Sequence, residues 1–187
     1  MSATTKNVRY LAIDLGAESG RVFLGTLEQG RLTLDEIHRF ANQPVCVGHS
    51  MYWDVLCLWE AMKQGMVAAA TRADGELAGI GLDTWGVDFA LVDQQGEILG
   101  LPHHYRDPRT EGVLDELGEV ISEAELYATT GIPYLSFTTL CQLVAMRRQG
   151  SAALSAASTL LLMPALFTFW LCGRQVCEAT IAGTSQL

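Results

Sequence analysis

Three short stretches combine acids, hydroxyls, glycines and aromatic rings at spacings suited to ligand chemistry. The first is DLGAESGR, residues 14–21. There Ser19, Gly20 and Arg21 can offer two backbone N–H groups, a hydroxyl and a guanidinium to one anion, with Gly16 and Gly20 expected to allow positive φ. A carboxylate at Asp14 would repel that anion directly, so its natural work is to hold Mg²⁺, usually through water, opposite a phosphate. The pairing suggests nucleotide binding, and a plain polar hairpin is the alternative. The second stretch is DTWGVDF, residues 83–89. Trp85 offers a flat apolar face to the C–H edge of a sugar, and Gly86 lets a ligand approach its backbone N–H. Asp83 and Asp88 can accept sugar hydroxyls; an acidic loop with a structural tryptophan is the plainer reading. The third stretch packs Tyr105, Arg106, Asp107 and Arg109 around Pro108, which suits either a polyhydroxylated ligand or an internal ion pair. His103 and His104 have no acid or cysteine at metal-ligand spacing and are expected in a loop. His38, in the polar phase of a strand, is expected to face solvent or a hydrogen-bond partner.

These residues need strand tips and turns to carry them. The apolar runs on either side of DLGAESG read as the first two strands of a hairpin, and Arg31 to Phe40 alternates as a third. No GxGxxG or GxxxxGK[ST] is present, and a strand rather than a helix follows the glycines. After a loop from Ala41 to Ser50, MYWD is expected to open a helix with Asp54 as N-cap and a buried stripe of Val55, Leu58, Trp59, Met62, Met66 and Val67. Gly75 and Glu76 turn into a strand at Leu77 to Leu82; Phe89 to Val92 is another, and Gln94 to Gly100 a turn into a further one. In an open α/β sheet ligands sit beyond the carboxyl ends of strands, so the turn after Leu82 is placed toward the same cleft as Asp14. Helices are expected at Glu111–Leu117, at Ser122–Thr130 with a Ser122/Glu125 capping box and a stop at Gly131, and at Phe137–Arg148.

Between Gln149 and Gly173 no residue is charged. That length approaches the ~20 residues that cross a bilayer, yet Pro164 and the small polar start favour a buried strand, LLLM, followed by a buried helix, ALFTFWL. Gly173 and Arg174 look like a helix stop and a hairpin into Val176, and the final EATIAGTSQL shows no closing element. With 187 residues the chain suits one sizeable core. Its net charge of −9 argues against a nucleic-acid partner. Five cysteines without CxxC spacing argue against zinc or a disulfide frame and for a reduced, cytoplasmic setting, and the apolar run before Asp14 is too short for a signal peptide.

DLGAESGR, GLDTWGVDFALVD, HYRDPRT and GIPYLSFTTLCQL with LLLMPALFTFWLCG, together with IHRFANQPV and YWDVL, resemble in order the N-terminal half of FGGY-family carbohydrate kinases, and within that family the members acting on L-rhamnulose. The resemblance covers nearly the whole chain. It implies an α/β, ribonuclease-H-like (actin-like ATPase) domain with a mixed sheet opening β-β-β-α-β and flanking helices, residues 1–187 forming an N-terminal domain incomplete at its end. It implies ATP-dependent phosphorylation of L-rhamnulose at O1, with ATP and Mg²⁺ as cofactors. Ala17, Glu18, Ser19, Gly20 and Arg21 match the ATP-phosphate loop, Asp14 the metal-facing carboxylate, and Gly86 the backbone contact to the ketose. Trp85, Tyr105 and Tyr134 match positions lining the sugar pocket. The proton-accepting Asp, the adenine site and the second lobe are expected beyond Leu187, leaving this chain inactive alone and prone to self-association through the face the lobe would cover. Ala165 stands where the family carries Asp after Met-Pro, and Ile181 and Gly183 are unusual. Other readings are a kinase for L-fuculose, L-ribulose or D-xylulose, or a non-catalytic sugar-binding module.

Overall fold

The computed structural model describes residues 7–74 and 76–187; the expected turn at Gly75 and the first six residues of the supposed leaderless start lie outside them. The chain divides into two compact units, one built from Met1–Gln43 and Asp54–Thr84, the other from Pro44–Trp53 and Trp85–Leu187.

In the first unit, strands β1 (Val8–Leu15), β2 (Ser19–Glu28) and β3 (Arg31–Ala41) form an antiparallel meander. The link from β3 to the next helix carries a hairpin of the second unit, β4 (Pro44–Val47) and β5 (Ser50–Trp53). Helix α1 (Val55–Arg72) follows, and β6 (Gly79–Thr84) then joins β1 in parallel, giving the order β3-β2-β1-β6. This is the expected mixed sheet. Leu11, Ile13 and Leu15 of β1 and Val22 and Leu24 of β2 are buried, one face of each strand in the period of two that a half-covered sheet requires. Each such side chain is worth ~1.5–3 kcal/mol of burial.

The buried stripe of α1 differs from the expected one. It runs through Val55, Leu58, Met62, Gly65 and Ala69, whereas Trp59 and Met66 are half-buried and Val67 is 67% exposed. The reason is the closeness of the helix to the sheet: a Cβ on Gly65 would lie 2.5 Å from Val22 Cγ2, so small residues occupy the contact line. Asp54 caps α1 as expected, accepting from the Cys57 amide at 3.0 Å. The Ala41–Ser50 loop is instead largely the β4-β5 hairpin, and Met51, Tyr52 and Trp53 end a strand rather than begin a helix. Gly48, with φ of 62°, makes the tight reversal that joins these aromatic and β-branched runs.

The second unit carries the β4-β5 hairpin, the two-stranded pair β7 (Phe89–Val92) and β8 (Thr159–Leu162), and helices α2 (Val113–Gly118), α3 (Glu123–Thr130), α4 (Thr139–Arg148), α5 (Ala152–Ala156), α6 (Met163–Cys172) and α7 (Ala179–Ala182). The uncharged stretch resolves into α5, β8 and α6, and among the described residues no helix is long and apolar enough to cross a membrane. Pro164 sits in the first turn of α6, where its missing N–H costs nothing, and Gly173 ends the helix at φ 72°. Phe89, Leu91, Met146 and Leu162 form one core cluster and Val113, Cys141 and Ala145 another. Two expected strands are absent: Ile98 makes an isolated bridge to Val92, and residues 174–178 have no regular structure. The final residues expected to lack structure form α7 and a 3-10 turn at Gly183–Ser185, with Ser185 and Gln186 buried. Thr138 and the carbonyls of Ile132 and Pro133 bond the Gln186 side chain and hold that end in place.

Candidate functional site

In the first unit the β1-β2 turn carries Ala17 and Glu18 and leads into Ser19, Gly20 and Arg21, the residues expected to form a phosphate loop. Gly16 N–H donates to the Ser19 carbonyl at 2.9 Å, the Asn42 amide to the Glu18 carbonyl at 3.0 Å, and Asn42 Nδ2 to the Gly16 carbonyl at 2.7 Å. Asn42 is 2% exposed. It turns the loop carbonyls inward, and no acceptor among the described residues takes the amides of Ala17 and Glu18. Unpaired amides at a turn are what an anion recruits. Ser19 and Arg21 are half-buried beside them. Neither Gly16 nor Gly20 has positive φ. Their requirement is room: a Cβ on Gly20 would lie 2.2 Å from the Phe40 ring, and one on Gly16 3.3 Å from the Ser19 carbonyl.

Asp14 lies across β1-β2 from Arg21 and forms an ion pair with it at 2.6 Å, both side chains partly exposed. It is also in register with Asp83 on the parallel strand β6, which puts the two carboxylates on the same sheet face. Among the described residues no three metal-ligating side chains cluster. Asp14 and Asp83 are the carboxylates that would hold a magnesium ion were one bound, since it commonly takes one or two carboxylates and completes its shell with water and phosphate. His38, on β3, is half-buried against Phe40, and its Nε2 has no partner.

In the second unit the aromatic residues gather around Asp88. This carboxylate is 0% exposed. Its Oδ2 accepts from Trp53 Nε1 at 2.6 Å, Trp85 Nε1 at 3.0 Å and the Tyr105 amide at 3.2 Å, while Oδ1 accepts from Gln142 Nε2 at 2.8 Å. Burial pushes its pKa up to about 6, against the lowering pull of those donors. Asp88 is therefore not the sugar-facing acceptor expected of it, since its lone pairs are committed inside. Trp85 packs against Trp53 with centroids 4.0 Å apart and ring planes 32° from parallel, and His104 stacks on both Trp53 and Tyr105 at 4.1 and 4.4 Å. His104 is 2% exposed rather than in an open loop, and His103 packs its ring on Tyr52. Burial holds both imidazoles down to about 4.

The turn after Trp85 is braced from the chain's far end. A Cβ on Gly86 would meet Thr184 Oγ1 at 2.8 Å, so glycine is needed there for space. The positive φ falls on Val87, at 64°, and is held by bonds from the Val87 amide to Thr184 Oγ1 and from Thr139 Oγ1 to the Val87 carbonyl. Tyr105 is half-buried, with the Arg106 guanidinium 5.2 Å from its ring. Asp107 caps the 3-10 turn Pro108–Thr110 and accepts from the Met51 amide, and Arg109 bonds Gln142 Oε1 at 2.6 Å. The third stretch is thus structural in its acid and second arginine. Tyr134 stands outside the Asp88 cluster and donates its hydroxyl to the Leu114 carbonyl at 2.5 Å. Sequence reasoning assigned no role to Asn42, Trp53, Gln142 or Thr184; none carries a spacing signal, because each meets its partners only through the fold.

Residues 9–187 match the N-terminal domain model of the FGGY family of carbohydrate kinases. The chain belongs to that family. It is 43% identical over 178 residues to a rhamnulokinase of Bacteroides thetaiotaomicron and 37% identical over 177 residues to one of Oceanobacillus iheyensis, covering 95% of this chain and 36% and 37% of those relatives. The chain therefore spans little more than a third of the length of these kinases. Among solved structures it resembles gluconate kinase from Lactobacillus acidophilus, with a TM-score of 0.85 at 14% identity over 97% of this chain and 36% of that one. Plasmodium falciparum glycerol kinase with ADP aligns at a TM-score of 0.76 and 16% identity, over 97% and 38%. These likenesses establish the sugar-kinase fold.

Proposed function

We propose that these residues form the N-terminal portion of a cytoplasmic kinase that moves the terminal phosphoryl group of ATP to O1 of L-rhamnulose. The observation that carries this reading is the turn from Gly16 to Arg21. Its carbonyls are tied down by Asn42, leaving the Ala17 and Glu18 amides, the Ser19 hydroxyl and the Arg21 guanidinium for a phosphate. On binding, Arg21 exchanges part of its ion pair with Asp14 for phosphate oxygens, and Asp14, with Asp83 beside it, becomes free to hold Mg²⁺. That ion would neutralise charge on the transferring phosphoryl group. Trp85 and Tyr105 supply ring faces to the sugar, Gly86 its backbone, and Tyr134 a further wall. The 43% identity to a rhamnulokinase supports the choice of ketose.

Phosphoryl transfer rests on positioning and charge stabilisation from every side of the reacting group. The proton-accepting Asp that the family resemblance implies is not assigned to any residue here, so the 187-residue chain is expected to bind without turnover. Isothermal titration with L-rhamnulose, L-fuculose, L-ribulose and D-xylulose, each with and without Mg-ADP, tests the reading. Strongest binding of L-rhamnulose, together with Mg-ADP binding that Arg21→Met abolishes, supports it. Tighter binding of another ketose would reassign the substrate, since one pocket side chain shifts preference by ~1–3 kcal/mol. Sugar binding with no nucleotide binding would favour a sugar-binding module, and a coupled assay showing turnover would refute the incomplete-site argument.

A further inference from the structure

Asp88 does more than fill the core of the second unit. We infer that it is the positioning residue that sets the orientation of Trp85 and Tyr105, a role that takes its meaning for sugar recognition from the function proposed above. Four donors from four segments converge on this one buried carboxylate: the Trp53 indole from β5, the Trp85 indole from the turn after β6, the Tyr105 amide, and the Gln142 side chain from α4. A carboxylate needing only to be satisfied in a core requires no reach to two indoles. An indole pinned at Nε1 and packed against a neighbouring ring has both its tilt and its rotation restricted, and Trp85 is held in both ways, its ring inclined 32° to that of Trp53. Tyr105 is held at its amide while its ring rests on His104.

The charge matters as well as the shape. Gln142 spends its carbonyl on Arg109 and so can present only its amino group to Asp88. A neutral amide at position 88 would have to aim its own NH₂ either at that amino group or at the two indoles, leaving buried donors without an acceptor. The turn is locked around the carboxylate at the backbone too, with the Asp88 amide donating to the Gly86 carbonyl at 2.8 Å and the Met163 amide to the Asp88 carbonyl at 3.1 Å.

Asp88→Asn tests this. With the Trp53 and Trp85 rings in contact at 4.0 Å between centroids, the unmutated chain is expected to show a coupled indole band in near-ultraviolet circular dichroism. The variant is expected to lose that band and to bind L-rhamnulose at least about tenfold more weakly, with Mg-ADP affinity unchanged. A core substitution without positioning effect would lower the melting temperature and leave the sugar affinity of the folded protein intact. An unchanged band with unchanged sugar affinity overturns the inference. Loss of the band in the variant when even the unmutated chain binds no L-rhamnulose would sustain the orienting role and defeat the sugar reading. If the variant does not fold, hydrogen exchange at the indole N–H groups of the unmutated chain decides: slow exchange at both Trp53 and Trp85 supports the inference, and exchange at the free rate at either one removes it.

Discussion

The β1-β2 turn of the first unit and the aromatic cluster of the second solve opposite problems. At the turn, Asp14 and Arg21 are partly exposed and satisfy each other, and the fold is held by groups beneath them: Asn42, and the Phe40 ring against Gly20. In the cluster, Asp88 is sealed and spent on the protein itself, holding the buried Trp53 indole and the half-buried Trp85 indole. Under the proposed function, ligand binding and stability are separable in the first region and share the same bonds in the second. An exposed ion pair contributes little to stability, so its members can be released to a ligand cheaply. A buried carboxylate stripped of one donor loses far more.

The sharpest way to break the contrast is Trp53→Ala. Trp53 is 0% exposed, and its loss is expected to cost ~3–5 kcal/mol, seen in chemical denaturation, and to remove sugar binding with it. Next, Gly65→Ala is expected to destabilise the first unit by ~1–3 kcal/mol through overpacking against Val22, despite the helix propensity gained; a neutral or stabilising result would mean that α1 can slide. Acid should discriminate the regions further. His103 and His104, held down to about 4, contribute stability that is full above 6.5 and is lost as pH falls toward 4. Asp88, raised to about 6, works the other way, its contribution being present below 3.8 and lost as pH rises to 6. Two imidazoles oppose one carboxylate, so the melting temperature is expected to be lower at pH 4.5 than at 7.5, and Asp88→Asn should steepen the decline. The smallest effect is expected from Arg21→Met, which should shift stability by less than ~1 kcal/mol while removing Mg-ADP binding. A large loss of stability would erase the distinction between the regions.

Strand pairing around DLGAESGR was legible because the apolar runs, the glycines and the alternation of Arg31 to Phe40 are local signals, and the helix caps at Asp54 and Ser122 sit where their residue types place them. The β4-β5 hairpin was not, because four-residue strands around Gly48 carry too little periodicity to outweigh the helix that follows. Residue type identified Trp85 and Tyr105 as candidate ligand contacts, but nothing in spacing told that Asp88 faces inward or that His104 is buried: both facts depend on Trp53, which is brought to them from another hairpin. Gly16 and Gly20 were read for their dihedral freedom and Gly86 for the approach of a ligand, and the structure shows steric crowding at all three positions.

Gly86 carries a consequence for how specificity can change. Because Thr184 occupies the space where a side chain at 86 would grow, the turn at Gly86, which the proposed function places beside the sugar, and the segment near Leu187 are tied as an epistatic pair. Selection for a new substrate that diversifies position 86 alone should return glycine, whereas alanine becomes admissible in a Thr184→Gly background. Recognition at this turn would then evolve by paired steps, the permissive change in that segment coming first.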